Sequence, residues 1–139
     1  MAGINTGKVL IGGLAAGVVA NAFDYVTNTY LMTDEMSEMT RRLNLDSAVA
    51  TSSMVTWIVI DFIWGVLLVF AYAAMRPRFE AGPKTAMISG ATLWLGATVM
   101  FVGLTSMGIF TQGALMKGSL FTLISSLAAS LVGARIYKE

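Results

Sequence analysis

The amino-acid sequence predicts an all-α fold, a polytopic integral membrane four-helix bundle of two antiparallel hairpins with a short amphipathic surface helix after the first span. Three observations predict it. The 139 residues are 56 % hydrophobic and 12 % charged with a mean hydropathy of +0.73, far more apolar than an ordinary soluble domain. Four apolar runs, at about 8–32, 51–75, 85–110 and 114–136, each reach the ~20 to 25 residues that a bilayer asks of a crossing helix. The breaks between them are short or charged, so residues 1–139 read as a single transmembrane domain.

The first span, KVLIGGLAAGVVANAFDYVTNTYLM from Lys8 to Met32, confines its polar residues to one side. At ~100° per residue, Gly13, Gly17, Ala20, Asn21, Asp24, Thr27 and Asn28 fall within about a third of the circumference, with Ile11, Val18, Ala22 and Val26 opposite. Lipid offers an amide or carboxyl no partner, so this stripe is expected to face other helices. Ala20-Asn21-Ala22 has the small-x-small form of a processing site. The apolar character continues past it and Lys8 alone supplies a preceding charge, which favours a retained span over a cleaved signal.

The next stretch, TDEMSEMTRRLNLD from Thr33 to Asp46, is the most charged part of the chain. Thr33 suits an N-cap, Asp34 and Glu35 suit the positive end of a helix dipole, and Arg41-Arg42 suit the negative end. Met36, Met39 and Leu43 recur at helical spacing, so a surface helix over about 33–45 is expected to lay them in the acyl boundary. An ordered polar loop is the alternative.

The second span carries Met54, Trp57, Trp64, Gly65, Leu68 and Tyr72 on its face through Asp61, and it is expected to stop at Arg76-Pro77-Arg78, where proline removes an amide. Gly82-Pro83-Lys84 opens the third span, with Pro83 suited to a first helical turn. That span holds Ser89, Gly90, Gly96, Gly103 and Gly108, with Trp94 its one bulky polar-capable side chain, and Thr111-Gln112-Gly113 then reads as a tight turn. The fourth span aligns Ser119, Thr122, Ser126, Ala129, Ser130 and Gly133, small and hydroxyl residues that let backbones approach.

Basic residues set the orientation. Lys8, Arg76, Arg78, Lys84, Arg135 and Lys138 would share one side, against Arg41, Arg42 and Lys117 on the other, which places both termini in the cytoplasm. The two halves also echo each other, since Lys8 and Lys84 precede outward spans and AYAAMRPRFE and LVGARIYKE close inward ones.

The stretch Ala71 to Ala86, AYAAMRPRFEAGPKTA, resembles a family of small uncharacterised four-span bacterial membrane proteins. The likeness extends to the opening GKVLIGGLAAGVV and to the short basic C-terminus. It implies a multi-pass protein of the bacterial cytoplasmic (inner) membrane with four helices, and no activity, cofactor or binding residue.

Chemistry is bounded by what is missing from the sequence. No Cys is present, which excludes disulfides and thiolate sites, and no His, which excludes His-ligated haem and Ser-His relays. No cofactor is expected. A net charge of +1, with basic residues paired at helix ends, leaves no basic patch for nucleic acid. The ten methionines do not cluster at ligand spacing.

Asp24 and Asp61 are the ionisable carboxyls within the spans. Counted from the outer ends their depths differ by only ~3 Å at a rise of ~1.5 Å per residue, so they can meet. One reading is a protonatable or cation-binding cluster of Asn21, Asp24, Asn28 and Asp61. The other is a polar knot in which Asp24 bonds Asn21 or Asn28 and Asp61 accepts from the Trp57 indole. Lys117 is expected to snorkel outward. Trp57, Trp64 and Tyr72 either line a cleft or fill the bundle. Arg76, Arg78 and Lys84 crowd one turn, where lipid headgroups or a partner would explain them.

With no nucleophile–base pair and no phosphate-binding loop, an enzyme is not expected. The chain reads as a structural or accessory subunit of a larger membrane assembly, its partners being membrane lipids and other subunits or further copies of itself. The alternative is a small oligomeric transporter or channel that uses Asp24 and Asp61.

Overall fold

The computed structural model describes residues 3–137, the side chains of residues 47 and 49–51 excepted, and is all-helical. The elements are α1 (Thr6–Val26), a π-helical turn (Thr27–Leu31), α2 (Thr33–Arg42), α3 (Ser47–Phe79), α4 (Pro83–Ser106) and α5 (Gln112–Ile136). Among the described residues four helical segments are long and apolar enough to cross a membrane: Thr6–Leu31, Ser52–Phe79, Pro83–Ser106 and Gln112–Ile136.

Glycine makes the central contacts. A Cβ on Gly13 would lie 2.6 Å from the Val66 Cα, and one on Gly17 would lie 2.8 Å from the Phe62 Cα, so α1 and α3 touch almost backbone to backbone. Gly12 approaches the Gly133 carbonyl of α5 in the same way, at 2.8 Å. The glycine and alanine side of α1 is thus wedged between α3 and α5, while Ile11, Val18, Ala22 and Val26 are exposed on its far side. Small residues permit this proximity, which increases dispersion contact between the helices.

Hydroxyls join the remaining helices. Ser89 of α4 donates to the Leu68 carbonyl of α3 at 2.7 Å, and Ser130 of α5 donates to the Ala86 carbonyl. Trp94 of α4 donates through Nε1 to the Ser119 carbonyl at 2.8 Å, with Thr98 and Ser119 sharing a hydroxyl bond at 3.1 Å. The serine side of α5 therefore faces α4, Leu68 and Ala129 are fully buried, and Val69 is buried between Gly12 of α1 and Gly133 of α5.

Helix ends depart from expectation in three places. Arg76-Pro77-Arg78 does not stop α3, which continues to Phe79 and closes with the Glu80 amide donating to the Arg76 carbonyl at 2.9 Å. Pro77 sits in the last turn, where its ring removes one amide bond only, and the Thr85 hydroxyl serves the end carbonyls of Phe79 and Glu80 at 2.9 and 2.7 Å. Thr33 is not the N-cap of α2. The π turn carries helical geometry up to Met32, whose amide donates to the Thr27 carbonyl, so the Thr33 hydroxyl finds the Thr29 carbonyl behind it instead. Finally, α4 ends at Ser106 rather than Phe110, because Gly108 takes φ 79 and turns the chain, while Thr111 caps α5 by accepting from the Ala114 amide at 3.1 Å.

Candidate functional site

α1 and α3 run in opposite senses, since Gly13 meets Val66 while Gly17, further along α1, meets Phe62. Continued at that register, the crossing sets Asp24, in the last α-helical turn of α1, level with Val55, about six residues along α3 from Asp61, and both side chains lean toward their own helix N-termini and so toward each other. Their carboxyls lie close enough to interact. Asp61 is only 7 % exposed and Asp24 is partly buried. Ionised carboxylates are acceptors only, so two carboxyls bond each other only where one of them carries a proton.

The other members of the expected cluster take different partners. Asn21 donates from Nδ2 to the Gly17 carbonyl at 3.0 Å and across to the Ile58 carbonyl of α3 at 3.3 Å, a second polar tie between the two helices. Asn28 is exposed and donates to the backbone carbonyl of Asp24, not to its carboxyl, at 2.9 Å. Trp57 does not join the knot: it is 50 % exposed, and among the described residues no hydrogen bond links its indole to Asp61. Two turns of helix put Trp64 rather than Trp57 against the bundle, where its Nε1 donates to the Ser126 hydroxyl at 3.2 Å.

At the end of the bundle that holds the termini, Tyr72 and Tyr137 are buried and pack edge to face, ring centroids 6.1 Å apart. The Arg76 guanidinium lies 5.9 Å from the Tyr72 ring centre and 5.4 Å from that of Tyr137. The Tyr72 hydroxyl accepts from the Gly82 amide at 3.2 Å, and the Tyr137 hydroxyl accepts from the Asn5 amide at 3.3 Å. Arg76 is therefore a packed residue, whereas Arg78 and Lys84 are exposed. Tyr137 was not singled out in the sequence, although an aromatic side chain beside a terminal basic cluster is a recognisable interface signal. Lys138, counted in the basic tally, lies outside the described residues.

At the opposite end α2 is fastened to the bundle. Lys117 of α5 pairs with Glu35 at 2.5 Å, and the Arg42 guanidinium donates to the Gly108 carbonyl at 2.9 Å. Lys117 is thus engaged by a carboxylate rather than simply snorkelling outward. Its hydrogen bond, reinforced by a backbone amide, holds the Glu35 carboxyl below the usual range for glutamate. Met36 and Leu43 are exposed on α2, and Met32, just before it, rests against Gly118.

Two shallow grooves open on the bundle surface, one lined by Leu14, Phe62, Ile63, Val66 and Leu67, the other running between α4 and α5 beside Trp94 and Ser119. Among the described residues no three His, Cys, Asp or Glu side chains converge as metal ligands would. The chain matches no family model, no curated protein and no solved structure.

Proposed function

We propose that the protein is a non-catalytic structural or accessory subunit of a larger membrane assembly, inserted in the bacterial cytoplasmic membrane as two antiparallel hairpins with both termini in the cytoplasm. One observation carries this reading. Gly12, Gly13, Gly17, Gly65, Gly90 and Gly133 each seat part of a neighbouring helix at 3.0 Å or less from an added Cβ, but nothing lies within 4 Å of Gly96 or Gly103 on α4. At ~100° per residue those two glycines share a face, flanked by Val99 and Met100, 64 % and 71 % exposed. A helical glycine costs about 1 kcal/mol relative to alanine, and inside this chain no contact offsets it at either position. A helix from another subunit, approaching as α1 approaches α3, supplies the offset.

Purification in mild detergent tests the reading. The wild-type chain is expected to emerge with other polypeptides or as a stable oligomer, and Gly96→Leu with Gly103→Leu to release it as a monomer of unchanged fold. Wild-type protein that purifies as a lone monomer refutes the proposal.

A second reading, a small oligomeric transporter or channel, is favoured by the Asp24–Asp61 contact, since a buried carboxyl pair can hold and release a proton. Proteoliposome flux that is lost in Asp24→Asn and Asp61→Asn variants supports it. Flux that persists in both, or no flux in the wild type, removes it.

A further inference from the structure

We propose that the groove between α1 and α3 is a binding site for an anionic phospholipid of the leaflet at the basic end of the bundle, with one acyl chain in the groove and the phosphate at Arg78. The inference rests on the membrane insertion proposed above. The groove has a volume of about 240 Å³ and is lined entirely by Leu14, Phe62, Ile63, Val66 and Leu67, so only an apolar chain matches its chemistry. At ~100° per residue, Ile63, Leu67, Ala74 and Arg78 fall on one line along α3, and all four are exposed. Leu67 and Arg78 are separated by about 16 Å of helix at a rise of ~1.5 Å per residue, about half of a hydrocarbon core of ~30 Å. A chain lying in the groove at Leu67 therefore ends, at its headgroup, beside the Arg78 guanidinium.

Charge selects the headgroup. Among the described residues the same end of the bundle carries Lys8, Arg76, Arg78, Lys84 and Arg135 against Glu80 alone. Arg76 is occupied by the two tyrosine rings, whereas Arg78 is exposed and forms no ion pair among the described residues. A guanidinium fork binds a phosphate through two parallel hydrogen bonds, which a zwitterionic headgroup weakens with its own ammonium.

The experiment has two arms. First, the purified chain is mixed with vesicles of palmitoyl-oleoyl phosphatidylcholine and floated; failure to float overturns both the membrane reading and this proposal. Second, native mass spectrometry from detergent compares retention of palmitoyl-oleoyl phosphatidylglycerol with that of the phosphatidylcholine of identical chains. The wild type is expected to retain the phosphatidylglycerol preferentially, Arg78→Gln to lower that retention about fivefold, and Arg78→Lys, which keeps the charge but not the fork, to give an intermediate retention. Leu67→Trp, which fills the groove, is expected to lower retention of either lipid. A chain that floats but shows no phosphatidylglycerol preference, or whose preference survives Arg78→Gln, refutes the lipid site and leaves the membrane reading standing.

Discussion

Gly65 of α3 lies so close to Gly17 of α1 that a methyl group on Gly65 would sit 2.8 Å from the Gly17 Cα. Backbone occupies the space a side chain would need, and backbone on both helices is held by its own hydrogen bonds, so neither can yield cheaply. Gly65→Ala is expected to destabilise the bundle by about 1–3 kcal/mol, and Gly65→Val to prevent α1 from docking. Thermal unfolding in detergent measures the first; loss of protease resistance measures the second.

Gly96 gives the opposite result in the isolated chain. Nothing lies within 4 Å of its added Cβ, so Gly96→Ala is expected to leave monomer stability unchanged or to raise it by up to about 1 kcal/mol through helix propensity. Unfolding of the dissociated chain decides this separately from any loss of assembly.

The carboxyl pair has a spectroscopic signature. If the two carboxyls share a proton, as the transporter reading requires, the infrared spectrum at neutral pH is expected to contain a protonated carboxylic-acid carbonyl band. Asp24→Asn with Asp61→Asn should abolish it. Asp61→Leu, which leaves Asp24 without its partner, is expected to cost about 1–3 kcal/mol, more than Asp61→Asn.

Serine-to-carbonyl bonds between helices are smaller contributors. Ser89→Ala removes the bond to the Leu68 carbonyl and is expected to cost about 0.6–1.7 kcal/mol, read as a lowered unfolding temperature.

The link between α2 and α5 depends on pH. The Glu35 carboxyl is held below its usual range by Lys117, so the stabilisation is complete above the unfolded value near about 4.3 and is lost as pH falls through the lower folded value. Hydrogen exchange in α2 is expected to accelerate on that acid side, while Glu35→Gln should exchange faster than wild type at neutral pH and converge with it in acid.

Part of the stripe on α1 is legible in its 3.6-residue period: Gly13, Gly17, Ala20 and Thr27 are buried and Ile11 and Val18 exposed, but Asn28, on the same stripe, is exposed as well. Depth counting set Asp24 level with Asp61, whereas the helix register offsets them by about six residues along α3. What the pattern could not supply was direction around the helix at finer grain. Trp57 and Trp64 share a wheel position, yet α3 is covered mainly along its C-terminal half, so Trp64 is packed and Trp57 exposed. Pro77 misled because its penalty depends on how many amide bonds remain beyond it, and near a helix end that number is small. The seating of Arg76 between Tyr72 and Tyr137 joins residues far apart in the chain, and no local rule foresees such a meeting.

The π turn at Thr27–Leu31 works as a phase adjuster. Each helical residue advances the azimuth by ~100°, and a π turn accommodates one residue more than an α turn would. If the same five residues took ordinary α geometry, everything downstream would swing around the axis, with Glu35 rotating away from Lys117 and Met32 away from Gly118. The angular setting of the surface helix is therefore written into one widened loop of backbone: deleting a residue there lets an α turn take its place and keeps the setting, whereas adding one unlatches it.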